Sequence, residues 1–127
     1  MSAAYFALFH CLARTNANLL VGGEGASRSK HAWKQVYRAI DHGSARIACG
    51  DGATIRKFPK AIEDFANTFV TMQSKRNSAD YDPTARFTKS EVVQDIATAR
   101  QAIVAFDAEV AKDRRAFCAF VLFKRRS

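Results

Sequence analysis

One arginine occupies a position where a helix would ordinarily place a core residue. The apolar residues before it recur at steps of three and four, which predicts one face of an amphipathic helix: Ile62, Phe65, Phe69 and Met72. Arg76 takes the next position on this face. Because an unpaired buried charge is strongly destabilising, its guanidinium needs an anionic partner or access to solvent. Two interpretations stay open: a phosphate-binding group assisted by Asn77 and Tyr81, or a structural ion pair with Asp80.

Other residues with reactive side chains give weaker signals. Imidazole in general suits proton transfer near neutral pH, so His10 is a candidate base if the first helix packs beside Arg76. A histidine among aromatic residues is also a common hydrogen-bonded core residue. Cys11, Cys49 and Cys118 have neither metal-ligand nor CxxC spacing, which fits a reducing cytosol and leaves the reactivity of Cys49 open. We therefore expect no metal site and no cofactor.

The charge is strongly positive and unevenly spread. The net charge is +8, residues 1–60 carry nine Lys or Arg against three acids, and residues 112–127 carry six against Asp113 alone. Such a balance favours a polyanionic partner, with nucleic acid as the first candidate. Candidate phosphate contacts are a basic ridge with i+4 spacing and two residues near the end of the third helix: Lys30, Lys34, Arg38, Lys75 and Arg76. The ridge can equally be an ordinary solvated helix face.

Few glycines and prolines interrupt the chain, so the expected fold is all-α, a single domain over residues 1–127 forming an antiparallel bundle of four or five helices. The predicted helices cover a first segment to about residue 20, then residues 29–41, then 59–75 with an extension toward 81, then a helix after residue 88, and finally residues 116–123. Residues 42–54 are predicted to be a loop because they contain three glycines.

The last two helices have distinct signatures. Thr88 and Glu91 form a capping box, and the helix that follows has a long apolar stripe that predicts packing in the core: Val92, Ile96, Ala99, Ile103, Phe106 and Val110. Residues 116–123 are apolar all round, which indicates a buried or a partner-binding helix. No apolar run approaches the roughly 20 residues of a membrane span. We expect a cytoplasmic protein without membrane contact.

Two segments together resemble the HEPN superfamily of small helical-bundle proteins. Residues 2–10 (Ser-Ala-Ala-Tyr-Phe-Ala-Leu-Phe-His) and 76–82 (Arg-Asn-Ser-Ala-Asp-Tyr-Asp) are similar to stand-alone bacterial members with Ala-Tyr-Tyr-Ala-x-Phe-His and Arg-x-x-Ala-Asp-Tyr motifs. The resemblance implies a homodimer and a role in toxin–antitoxin or defence systems. It also implies RNA chemistry by an Arg and a His, and a possible nucleotidyltransferase-type antitoxin that modifies Tyr81.

The sequence departs from the nuclease members of this superfamily at the position of the catalytic histidine. The resemblance places that histidine after four to six intervening residues that follow the arginine, where this chain has Tyr81, Asp82 and Pro83. A phenol with an ordinary pKa of about 10 is a poor proton shuttle at neutral pH. We therefore expect a non-catalytic or weakly catalytic module that binds RNA or nucleotide. The alternative is a metal-independent ribonuclease that uses Arg76 with a non-standard base such as His10.

Overall fold

The computed structural model describes residues 2–25, 27–81, 84 and 86–123, with only the backbone described at 79–81. These residues form seven helices and no strand: α1 (Ala3–Leu20), α2 (Lys30–Ala39), α3 (His42–Cys49), α4 (Gly52–Ile55), α5 (Lys60–Tyr81), α6 (Lys89–Asp107) and α7 (Ala111–Leu122). The all-α class is confirmed. The helix count exceeds the predicted four or five because the segment predicted to be a loop is largely helical.

Side-chain caps explain why this segment folds into helices. Asp41 Oδ1 accepts a hydrogen bond from the Ser44 amide at 2.7 Å, and Asp51 Oδ1 accepts one from the Thr54 amide at 3.3 Å. Each aspartate satisfies a backbone donor that would otherwise lack a partner at a helix start. Gly50 ends α3, and a Cβ there would lie 3.0 Å from the Arg46 carbonyl oxygen. The loop prediction was wrong because these glycines separate and bound short helices.

The core lies between α1, α5, α6 and α7, with α3 packed on α5 and α7. Its centre is aromatic: the rings of Phe65 and Phe106 stack with centroids 4.4 Å apart, and Phe117 meets both edge-on. The predicted apolar face of α5 is confirmed, since all four of its residues are buried. By contrast, α2 contains no buried residue and packs mainly on α1.

The predictions for the last two helices hold in part. Thr88 Oγ1 accepts a hydrogen bond from the Glu91 amide at 3.1 Å, which confirms Thr88 as the N-cap of α6, and the Thr88 hydroxyl donates to Glu91 Oε1 at 3.3 Å. The apolar stripe predicted for this helix is buried only around Ala99 and Phe106. Val92 on α6 is 46% exposed, and Val110, which lies beyond the end of α6 and is the N-cap residue of α7, is 57% exposed. The C-terminal apolar segment is buried on one face only, through residues that include Phe117, Cys118 and Val121. No helix among the described residues is both long and apolar enough to cross a bilayer.

Candidate functional site

Arg76 lies against the aromatic side chains of α1. Its guanidinium carbon is 5.4 Å from the centroid of the Tyr5 ring and 5.3 Å from that of Phe6. The residue is half-buried and its Nε atom is buried. A guanidinium over aromatic faces is attracted by the ring quadrupoles, and this attraction grows as water is removed. The arginine in register with the core face of α5 is therefore stabilised partly by π-faces of a helix far away in the chain.

His42 contacts the same aromatic rings as Arg76, those of Tyr5 and Phe6, and was not predicted as a site residue. Its Nδ1 forms a hydrogen bond with the Tyr5 hydroxyl, and its ring stacks on Phe9 with centroids 4.1 Å apart. Its backbone carbonyl accepts a hydrogen bond from Gln73 Nε2 at 3.0 Å. Asp41 caps α3 and so fixes His42 as the first residue of that helix. We call Tyr5, Phe6, Phe9, His42 and Arg76 the Arg76 cluster.

The electrostatics of the Arg76 cluster keep its histidine and tyrosine uncharged at neutral pH. Partial burial lowers the pKa of His42, the positive charge of Arg76 lowers it further, and the carboxylate of Asp41 acts in the opposite direction. Burial raises the pKa of Tyr5 to about 12, despite the opposing charge of Arg76. The cluster therefore combines one fixed cation with a neutral imidazole, an arrangement that can bind an anion and accept a proton.

His10, the predicted alternative base, is not part of this cluster. It is exposed, and its Nδ1 forms a hydrogen bond with the hydroxyl of Tyr37 on α2. Its ring lies 6.4 Å from Phe6, on the side of α1 that faces α2. Nothing among the described contacts joins His10 to Arg76, whereas His42 is close enough for the arginine to perturb its pKa.

The remaining predicted site residues on α5 have varied surroundings. Asn77 is half-buried beside Arg76 in the sequence. Lys75 Nζ forms an ion pair with Asp95 Oδ1 of α6 at 2.8 Å, so its positive charge already has a partner within the protein. The side chains of Asp80 and Tyr81 lie outside the described residues, and so do the predicted Arg76–Asp80 pair and the phenol proposed for modification.

The predicted basic ridge is an exposed face of α2. Lys30, Lys34 and Arg38 are all exposed, and the helix contains no acidic residue. Trp33 and Tyr37, on the adjoining face of the helix, are half-buried against α1. The sequence pattern therefore correctly separated the solvent face of this helix from its packing face.

A row of stacked planar groups runs between α1 and α2. The Arg28 guanidinium lies 4.8 Å from the Trp33 ring centroid, Trp33 stacks on Tyr37 at 5.3 Å, and Tyr37 stacks on His10 at 6.1 Å. Asn18 Oδ1 accepts hydrogen bonds from Arg28 Nη1 at 3.2 Å and from Trp33 Nε1 at 2.9 Å. We call Arg28, Trp33, Tyr37 and His10 the Arg28 row. The sequence showed the i,i+4 spacing of Trp33 and Tyr37 but not the arginine that joins them.

The cysteines offer neither a metal site nor a reactive thiol. Cys11, Cys49 and Cys118 are buried, and burial raises the pKa of each to about 12. No group of three or more His, Cys, Asp or Glu residues in the described part of the chain could hold a metal ion. The structure thus answers the question about Cys49 that its glycine-flanked position raised.

The structure also contains a cavity away from the Arg76 cluster and the basic ridge. It has a volume of about 540 Å³ and lies between α3 and the C-terminal end of α7. The exposed apolar residues Ile47 and Phe123 line it together with Asp41 and Asp51. Neither the Arg76 guanidinium nor the basic ridge contributes to its walls.

Comparison of the chain with protein-family models, with curated proteins and with solved structures finds no match. The HEPN-like assignment therefore stays a prediction based on the two sequence segments. The geometry of the Arg76 cluster and of α2 is the basis for any functional argument.

Proposed function

We propose that this chain is a HEPN-like module that binds the phosphate backbone of RNA and has little or no catalytic activity. The observation that carries the proposal is the basic face of α2, where Lys30, Lys34 and Arg38 are exposed on a helix without a carboxylate. Within residues 2–25, 27–81, 84 and 86–123, none of the three forms an ion pair. Their charge is therefore available to a polyanion.

The physical basis is the release of counterions from the nucleic acid. Each phosphate neutralised on a single strand contributes a slope of about −0.7 to the dependence of log K on log salt. Three contacts therefore give a slope of about −2, so that affinity changes roughly 100-fold for a tenfold change in salt concentration. Lys75 contributes less under this proposal because it already pairs with Asp95, and Arg76 offers a half-buried cation.

The test compares two variants of equal net charge. One changes Lys30, Lys34 and Arg38 to Gln; the other changes Arg100, Lys112 and Arg115 to Gln, three exposed cations on α6 and α7. Affinity for a fluorescein-labelled RNA is measured by anisotropy at 50 and 200 mM salt. We expect the α2 variant to lose about 10- to 100-fold and its salt slope to become shallower by about 2. Equal losses in both variants, or no binding by the unmodified protein, would refute the proposal.

A second function is favoured by one specific observation, the neutral His42 beside Arg76. In a metal-independent ribonuclease, His42 would take the proton of an RNA 2′-hydroxyl while the 2′-oxygen bonds to phosphorus. The 5′-oxygen would leave with a proton from water, and Arg76 would stabilise the charge on the phosphorane. In the tautomer that this step requires, His42 Nδ1–H donates to the Tyr5 hydroxyl oxygen, which orients the imidazole and leaves Nε2 to take the proton. The non-standard base is then His42 rather than the predicted His10.

RNA cleavage in EDTA separates these functions. Cutting that is lost in both Arg76→Ala and His42→Gln but kept in His10→Gln would support the ribonuclease. Cutting by all three variants would indicate a contaminating nuclease, and retention of RNA without cutting would support the binding module. Homodimerisation and pairing with a nucleotidyltransferase-type antitoxin, in a toxin–antitoxin or defence context, belong to the same proposal. A sedimentation mass of one chain at tens of micromolar would contradict the dimer.

A further inference from the structure

We infer that the Arg28–Trp33 pair is a docking site for an unpaired nucleobase, so that the module selects single-stranded over duplex RNA. This inference rests on the proposed RNA-binding function. It adds a site separate from the Arg76 cluster and assigns a role to the Arg28 row. It is based on one observation: the half-exposed Arg28 guanidinium lies over the half-exposed Trp33 indole, next to the basic ridge of α2.

The pair is held in place before any ligand arrives. Arg28 Nη1 donates to Asn18 Oδ1 at 3.2 Å and to the Gly22 carbonyl oxygen at 2.9 Å, and Trp33 Nε1 donates to the same Asn18 oxygen at 2.9 Å. These bonds fix the indole and the guanidinium 4.8 Å apart. Because arginine normally loses much side-chain entropy on binding, a guanidinium already anchored in this way needs less additional ordering.

The chemistry of the pair suits a nucleobase. Unpaired bases stack on aromatic side chains and on the planes of arginine guanidinium groups, and stacking tolerates any base sequence. Arg28 is the terminal member of the Arg28 row, since the row continues from Trp33 through Tyr37 to His10. A base added at Arg28 would extend this stack by one planar group and would also meet a positive charge.

The neighbouring basic ridge supplies the backbone contacts for the same strand. Lys30 and Lys34 lie on the helix that carries Trp33, one turn before it and one residue after it. A single strand can place its phosphates along this ridge and turn a base toward Arg28. A duplex can use the ridge, but its bases are paired and stacked inside the helix. The site therefore distinguishes the two forms of RNA through Arg28 and Trp33 alone.

The single tryptophan of the chain makes this inference directly measurable. Intrinsic fluorescence excited at 295 nm is recorded while the protein is titrated with a 12-nucleotide RNA without self-complementarity, and separately with its blunt-ended duplex. Binding of labelled versions of both is followed by anisotropy. We expect the single strand to quench Trp33 with the same midpoint as the anisotropy change, and the duplex to bind without quenching.

Arg28→Lys removes the planar group while preserving the charge. We expect it to weaken single-strand binding about tenfold and to leave duplex binding unchanged, because a single stacking contact is worth that much or more. Arg46→Lys, the same change at an exposed arginine of α3, is the matched control and should change neither affinity. Circular dichroism checks that both variants keep their helices.

The outcomes separate this inference from the proposed function. If both RNAs bind but neither quenches Trp33, or if Arg28→Lys weakens both equally, the docking site is wrong and the RNA-binding function stands. Equal quenching by the duplex would also overturn the selection of single strands. If neither RNA binds at all, the proposed function and this inference fall together, and the α1–α2 face becomes a candidate surface for a protein partner.

Discussion

Among the residues that the structure describes, Arg76 and Arg28 both lie over aromatic rings, but in very different surroundings. Arg76 lies 5.4 Å from Tyr5, whose side chain is fully buried and meets Phe69 edge-on at 5.3 Å. Arg28 lies 4.8 Å from Trp33, which is half-exposed on a helix without a buried residue. The same pairwise contact is therefore part of the bundle interior in one case and part of a surface in the other. Distance alone does not reveal which of the two contributes to stability.

The difference follows from how the supporting helices pack. The Arg76 cluster is built from α1, α3 and α5, and each of these helices contributes residues to the central core. The Arg28 row depends on α2, which packs mainly on α1. Removing a group from the cluster therefore leaves a cavity, whereas removing one from the row mostly exposes surface that water already reaches. We expect stability effects to dominate in the cluster and binding effects in the row.

The sharpest test of this contrast is truncation of the central aromatic residue in each region. Tyr5→Ala should lower the free energy of unfolding by about 3–5 kcal/mol, as expected for a large buried aromatic side chain. Trp33→Ala should cost about half of that or less, because its ring is only partly buried. Urea unfolding followed by circular dichroism at 222 nm measures both. Equal losses would mean that α2 is as integral to the core as α1.

Removing the two arginines should give a smaller difference in the same direction. Arg76→Ala should destabilise the fold by about 1–2 kcal/mol, since its contact with two rings is partly desolvated, and Arg28→Ala by about 0.5–1 kcal/mol. Arg76→Met serves as a control because it retains much of the apolar stem. If Arg76→Met is as stable as the unmodified protein, packing of the stem rather than the charge stabilises the cluster. A larger loss at Arg28 than at Arg76 would contradict the comparison.

Stability should also depend on pH through the Arg76 cluster. The pKa of His42 is lowered by burial and by Arg76, so the unfolded chain binds a proton at a higher pH than the folded one. The contribution of this residue is fully present above the ordinary histidine pKa of about 6.5 and is lost as the pH falls from there through the lowered value. The midpoint of thermal unfolding should therefore decrease between pH 7.5 and pH 5.

The variant His42→Gln identifies the group responsible for this dependence. It should flatten the curve of unfolding temperature against pH in that range, because Gln at this position does not titrate. An unaltered slope in His42→Gln would show that the acid sensitivity arises from carboxylates. It would also remove the electrostatic argument for a neutral imidazole beside Arg76.

The parts that sequence could predict are those fixed by local pattern. The periodic face of α5 and the Thr88 N-cap of α6 each depend on residues three or four apart, and both are confirmed. The segment of α3 and α4 was missed because its glycines indicate a loop, while the caps from Asp41 and Asp51 act through single hydrogen bonds. Short helices of this kind depend on packing more than on propensity.

Only part of the candidate site could be predicted from the sequence. The position of Arg76 on an apolar face was visible in the sequence, and the exposed ridge of α2 followed from i+4 spacing. The partners Tyr5 and His42 were not visible, because they meet Arg76 only after α1, α3 and α5 pack together. The exposure of Val110 was missed because periodicity does not show where a helix ends: α6 stops at Asp107, and Val110 is the N-cap residue of α7.

The smallest expected effect is on the labelling rate of Cys49, which should respond to changes in the Arg76 cluster but not in the Arg28 row. Cys49 is buried with a pKa raised to about 12, and it lies close enough to Tyr5 to perturb the tyrosine pKa. Because the thiolate is the reactive form, no cysteine should be labelled by Ellman's reagent at pH 7.5 until the protein opens or unfolds. Tyr5→Ala should speed the labelling of Cys49, as identified by mass spectrometry, and Trp33→Ala should not. Rapid labelling of Cys49 in the unmodified protein would mean that the Arg76 cluster opens readily, and that its arginine is accessible to ligands much larger than a phosphate.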